Sequence, residues 1–438
     1  MPLLIVTLGI ILLFMLIARV KLNAFISFII VCIFVGVFRG MELTEIVESL
    51  QTGMGNTLGF LVLILGLGAM LGKLVADSGA AQRITSKLVS GFGIQHIQWA
   101  VVIAGFIVGI PMFYSVGFVI LIPLVFTVAA STGLPLIYVG LPMLASLSVT
   151  HGFLPPHPAP TAIANMFEAD IGKTLLYGII IAIPTIIVAG PLFTRTIKNI
   201  QATPLKEFYN PVVLTDDEMP GMGISVFSAL LPIILIICST ICTFFLPGDS
   251  LIKTIIVFIG NPVIAMLIAV LVAIYTLGIS RGKTMSELMD SISSSVSSIT
   301  MVLLIIAGAG AFKQILVDSG VSTYIGELLH GSSISPLILA WLIATIIRVC
   351  VGSATVAGLT AAGIILPLIS GTGISPELMV LAIGSGSLML SHVNDGGFWL
   401  FKEYFNLTVK ETLSTWTVME TSVGIMGLIG VLILNLFV

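Results

Sequence analysis

The chain has 438 residues, of which 58% are apolar and only 8% charged, against roughly 25% charged in ordinary soluble domains. That composition excludes a water-soluble enzyme or a secreted disulfide scaffold, and a net charge of −3 excludes a polyanion or nucleic-acid partner. The apolar runs are continuous for roughly 15 to 25 residues instead of alternating, so they read as membrane helices and not as strands of a barrel. In chain order the first span is Leu3–Ile17. It lacks a basic leading region and a small-residue cleavage site, is followed by Arg19 and Lys21, and reads as retained. Ala24–Phe38 and Gly53–Gly72 follow. Trp99–Ala130 is a longer apolar stretch broken at Pro111 and Pro123, then come Leu134–Val149, a proline-rich interruption over 150–160, and Thr174–Phe193. A polar segment, Arg195–Gly223, separates these from Ile224–Phe245, Ile255–Leu277 and Ile299–Val317. A second broken stretch, Pro336–Ser370, precedes Pro376–Ser391, an interruption over 391–397, and Leu413–Val438. The serine run Ser291–Ser298 reads as a surface connector. The four cysteines lie inside apolar runs, without disulfide or metal spacing.

The order of features repeats. Asp77-Ser78-Gly79 and Asp318-Ser319-Gly320 each close a Gly-rich span, and His151 and His392 each lie 74 residues further on. Ser146-Leu147 matches Ser387-Leu388, and Thr174-Leu175 matches Thr412-Leu413. Two copies of one design are expected: residues 1–197, a cytoplasmic linker over 198–223, and residues 224–438. Each broken stretch is too long for one span and too short for two with a loop, so each reads as a re-entrant hairpin, 99–130 and 336–370. Five crossings per copy is an odd number, which inverts the second copy. With that topology the basic residues outside the hairpins split 12 to 4 between the two sides. The positive-inside rule makes the richer side cytoplasmic and puts both termini outside. The expected fold is therefore an all-α polytopic membrane protein of two inverted repeats, each of about five transmembrane helices, one re-entrant hairpin and one unwound helix. That is the plan of a secondary transporter.

Four interruptions concentrate the polar groups. The first tip, Pro111–Ser115, offers Tyr114 and Ser115, and the first unwound segment offers Thr150, His151 and His157. The second tip offers Gly352, Ser353 and Thr355, with Arg348 just before it; the second unwound segment offers Ser391, His392, Asn394 and Asp395. Broken helices expose N–H groups and a positive dipole end, which suits an anion, and the hydroxyl, amide and imidazole groups suit a hydroxylated one. Arg348 is placed to clamp a carboxylate bidentately or to fix the hairpin. Asp395 reads as a buried functional acid or a helix cap. Asp77 and Asp318 read as caps or hinges. No metal motif occurs. A nucleophile–base pair of Ser353 and His392 would make an intramembrane enzyme, but polar breaks in both halves favour a carrier over an enzyme or a pore.

The segments HGFLPPHPAP (151–160), GSATVAG (352–358), SHVNDGGFWLFKEYFNLT (391–408), AMLGKLVADSGAAQRI (69–84) and HIQWAVV (96–102) resemble the gluconate permease family. The resemblance implies a gluconate:proton symporter of the ion-transporter superfamily, with no cofactor and sodium as the alternative coupling ion. It also implies a homodimer in the bacterial inner membrane that works by an elevator-like movement. The family includes carriers of D-serine and other sugar acids; Arg348, His151 and His392 favour the gluconate-like branch. Members carry a Glu in the first tip where this chain has Ser115, and a Gly is common where it has Ala159. Coupling then falls to Asp395, His151 or His392, or is altered or lost.

Overall fold

A computed structural model describes residues 2–197, 200, 202, 214–245, 250–321, 335–369, 373–393 and 395–438. Among them every regular element is helical. The helices of the first half are α1 Pro2–Phe14, α2 Ala24–Phe38, α3 Leu43–Asp77, α4 Ala80–Phe92, α5 Ile97–Gly109, α6 Tyr114–Thr132, α7 Leu136–Phe153, α8 Pro158–Met166 and α9 Ile171–Ile187. Those of the second are α10 Met222–Phe245, α11 Leu251–Gly260, α12 Pro262–Ala273, α13 Met285–Asp318, α14 Pro336–Val351, α15 Ala354–Ile369, α16 Pro376–Gly386, α17 Gly396–Tyr404, α18 Val409–Thr412 and α19 Val418–Leu434. Among the described residues six stretches are long and apolar enough to cross a membrane, and eight if two bent pairs count as one span each. Ten crossings were expected; α1 and α2, at 13 and 15 residues, fall short of the roughly 20 a span requires.

Two long helices form the frame. α3 has 35 residues and α13 has 34, each begun by a reciprocal capping box, Glu42 with Glu45 and Thr284 with Glu287. The N–H and hydroxyl of Thr284 hold the Glu287 carboxyl below its usual range. Both helices outrun the expected spans at their polar N-terminal halves, and the serine run 291–298 is part of α13, not a connector. They run antiparallel: Ser49 donates to Asp318 (2.5 Å) at one end and Ser291 to Asp77 (2.6 Å) at the other. Between these polar contacts the backbones nearly touch, since a Cβ on Gly53 would lie 2.5 Å from the Gly310 carbonyl oxygen. The basic groups sort to the two ends of this frame. Lys73, Lys283 and Arg83 gather near Asp77 and the 214–220 segment, while Arg39 donates to the Ser319 carbonyl and Lys313 to that of Met166. Most of the expected linker lies outside the described residues.

α7 is the hub of the rest and is almost wholly buried. Gln98 donates to the Tyr138 carbonyl, Gly105 abuts Met143 and Gly109 abuts Thr150, so α5 runs parallel to α7. Gly117 abuts Leu147 and Gly140 abuts Val125, so α6 runs antiparallel to it. α5 and α6 therefore form a hairpin turning at Ile110–Phe113 beside the last turn of α7. At 13 residues α5 is about 20 Å long, too short to cross the ~30 Å hydrocarbon layer. Pro123 is carried inside α6 and breaks nothing. In the second half α14 meets α15 at Gly352–Ser353, where Gly352 (φ +79°) takes the left-handed conformation a Cβ would strain.

Candidate functional site

The interruptions of both halves converge on one cavity of about 350 Å³. Tyr114 reaches it from the first turn of α6, and Ser148 and His151 from the end of α7. Arg348, Gly352, Ser353 and Thr355 line it from the second tip, Asp395 from the second break, and Trp416 and Glu420 from the last helical run. The first break is shorter than expected: α7 continues through Phe153 and only Leu154–His157 is non-helical, so Thr150 and His151 sit in the last helical turn.

Local chemistry fixes each side chain. Asp395 caps α17, accepting from the Gly397 N–H at 2.9 Å through Oδ1. Its Oδ2 accepts from both Ser391 and Arg348. Ser391 in turn accepts from the Trp416 indole N–H at 2.8 Å. Arg348 is 3% exposed and commits only Nη2 to this pair; Nε and Nη1 are buried without a partner among the described residues. Ser353 Oγ accepts from the Val356 N–H at 3.3 Å, opening α15 toward the cavity. Glu420 is 1% exposed. Ser148 donates to its Oε1, and its Oε2 is unpartnered. The Tyr114 hydroxyl and His151 Nδ1 are also buried without partners.

Five of the seven unpartnered buried side-chain atoms of the described residues thus belong to residues that line this one cavity. A buried polar atom left unbonded costs about 1–3 kcal/mol, so their concentration marks a place where something polar binds. The set is two guanidinium nitrogens, one carboxyl oxygen, one phenol and one imidazole nitrogen, with the Trp416 ring beside them. The helix N-termini of α15 and α17 face the same space, favouring an anion.

Not every expected residue joins the site. Thr150 returns its hydroxyl to the Leu147 carbonyl at 2.9 Å. His157 is buried, its Nε2 bonded to the Gly109 carbonyl oxygen at 2.8 Å, and its ring stands edge-on to His151 at 5.3 Å. His392 Nε2 bonds the Val349 carbonyl oxygen at 3.0 Å and is not among the lining residues, so it offers Ser353 no base. Ser391 acts through Asp395 and Trp416. Asn394 and the Ser115 side chain lie outside the described residues. Sequence reasoning missed Glu420, Ser148 and Trp416. Glu420 had a signal, a lone acid within an apolar span; Ser148 and Trp416 had none. Among the described residues no group of His, Cys, Asp and Glu is arranged to hold a metal ion.

Comparison with known proteins places these residues in context. Residues 1–437 match the family model of the GntP family permease. The chain is 54% identical over 438 residues to the high-affinity gluconate transporter of Escherichia coli strain K12, covering all of both chains. It is 53% identical over 435 residues to the Gnt-II system L-idonate transporter of the same organism, covering 99% of each. With the gluconate permease of Bacillus licheniformis it shares 50% identity, again over both full lengths. Among solved structures the YdaH transporter of Alcanivorax borkumensis superposes with a TM-score of 0.67 at 18% identity, over 94% of this chain and 96% of that one. MtrF of Neisseria gonorrhoeae follows with 0.63 at 16%, over 94% and 93%.

Proposed function

The chain belongs to the GntP permease family, and from that premise we propose that it is a secondary active carrier of gluconate or a closely related sugar acid, driven by proton symport. The observation that carries the substrate class is the set of five unpartnered buried atoms around one cavity. The two free nitrogens of Arg348, Nε and Nη1, flank the committed Nη2, and each has an N–H for a charge-assisted hydrogen bond to an anion such as a carboxylate. Tyr114, His151, Ser353, Thr355 and the bare oxygen of Glu420 offer donors and acceptors to a chain of hydroxyls. The names of the relatives at 50–54% identity support the same class.

Alternating access follows from the architecture under this reading. Two inverted repeats would contribute one tip each, with the end of α7 from the first and the second break beside them, and the antiparallel course of α3 and α13 supports that symmetry. The hairpins and broken helices would move as an elevator against the frame. We place the carrier as a homodimer in the cytoplasmic membrane with both termini outside. Asp395, His151 and His392 are the coupling groups that sequence suggests.

The test is uptake of labelled gluconate by proteoliposomes, with and without an inward proton gradient. Gradient-stimulated accumulation is expected. Stimulation by sodium instead would replace the coupling ion, and uptake without saturation or counterflow would exclude a carrier. Competition by gluconate, idonate, galactonate and D-serine ranks the substrates; preference for D-serine would move the protein to the amino-acid branch.

A further inference from the structure

The cavity holds two carboxyl groups in unlike surroundings, and they cannot do the same work. Asp395 has both oxygens engaged, by Gly397, Ser391 and Arg348. A proton arriving there would have to displace an ion pair and would release the cap of α17. Glu420 is buried, lines the cavity and takes one hydrogen bond from Ser148, while its Oε2 is buried with no partner among the described residues. Of the basic groups lining the cavity, Arg348 already answers Asp395. The other titratable groups lining the cavity with Glu420 are Tyr114 of α6 and His151 of α7.

We propose that Glu420 is the proton-carrying residue of this site, with Ser148 holding its carboxyl in register; the assignment rests on the symport reading above. A proton enters from the outer solution onto Oε2, forming an O–H that donates to a substrate oxygen, and leaves to the cytoplasm when the substrate departs. With Glu420 ionised, the cavity carries two negative charges against one positive, and a second anion is opposed. With Glu420 neutral, a sugar acid brings the site back to the charge of its empty, ionised form. Binding of the proton and of the anion thus promote one another, as linkage requires, and the anion alone is the disfavoured passenger. The bare oxygen also explains why a polar residue with one partner is held in the middle of an apolar helix, where burial of a charge is costly.

The experiment uses full-length protein in liposomes containing a trapped pH-sensitive dye. In the unaltered protein the KM for gluconate counterflow should rise with pH, approaching about tenfold per unit on the alkaline side, the limit for one linked proton. Gluconate entry should acidify the lumen. Glu420→Gln should give a flat KM profile and no acidification, with accumulation reduced to equilibration; Glu420→Asp should restore a pH-dependent profile. Calorimetric gluconate binding to purified Glu420→Gln separates folding from coupling. A Glu420→Gln protein that still acidifies the lumen, or one that is folded but binds no gluconate, overturns the assignment. Absence of gluconate counterflow in the unaltered protein overturns the carrier reading itself.

Discussion

Arg348 enters the cavity with one nitrogen committed to Asp395 and two uncommitted, and that division sets its expected behaviour. A lysine in its place keeps the charge but loses the planar fork, so it can hold Asp395 or the substrate but not both in this geometry. Arg348→Lys should therefore raise the KM for gluconate counterflow about tenfold to a hundredfold, the worth of a charge-assisted hydrogen bond of ~1.5–3 kcal/mol. An unchanged KM would show that the substrate carboxylate lies elsewhere. At this scale the sequence was legible where residue type and chain interruption coincide, as at Arg348, Ser353, Asp395 and His151. It misled at Thr150 and His157, whose polar atoms bond backbone carbonyls nearby; a hydroxyl or imidazole near a break does not announce which way it turns. Glu420 was passed over because it sits in unbroken helix, where attention to interruptions does not look.

The frame helices make the corresponding argument for whole elements. At Gly310 a Cβ would lie 2.1 Å from the Thr57 hydroxyl and 2.6 Å from the Gly53 carbonyl oxygen, so only a bare backbone fits, as in the small-residue contacts by which membrane helices approach closely. Gly310→Val should push α3 and α13 apart at an overpacking cost of about 1–3 kcal/mol. Thermal unfolding of detergent-purified protein should show a lowered midpoint; an unshifted midpoint would mean that the frame yields there. The apolar runs themselves placed the helices, and Ala24–Phe38 coincides with α2. The frame was underestimated because its N-terminal halves carry Glu45, Glu48, Gln51 and the serines of 291–298. A hydropathy window closes at such residues, whereas capping boxes and polar contacts between the two helices let the helix continue.

Considered as one molecule, the protein brings parts from distant stretches of chain to one cavity and leaves the frame outside it. If the hairpins travel as proposed, α15 must slide past α13. A Cβ added at Gly363 would stand 4.0 Å from the Lys313 Cα and meet nothing closer than 3.5 Å, within reach of a disulfide. In a background lacking the four native cysteines, oxidised Lys313→Cys/Gly363→Cys should stop net uptake, and reductant should restore it; uptake that continues through the oxidised bond would rule out sliding at this contact. The 74-residue spacing carries the expectation of a common plan for the two halves, whereas the meeting of their segments at one cavity was not readable, since no pattern in a single chain states which interruptions meet. One more consequence follows from the turn at Gly352. Because that residue takes a conformation that other amino acids resist, any side chain placed there would redirect the second tip, so enlarging the range of accepted acids by laboratory evolution should proceed through side chains around the tip and not through replacement of Gly352.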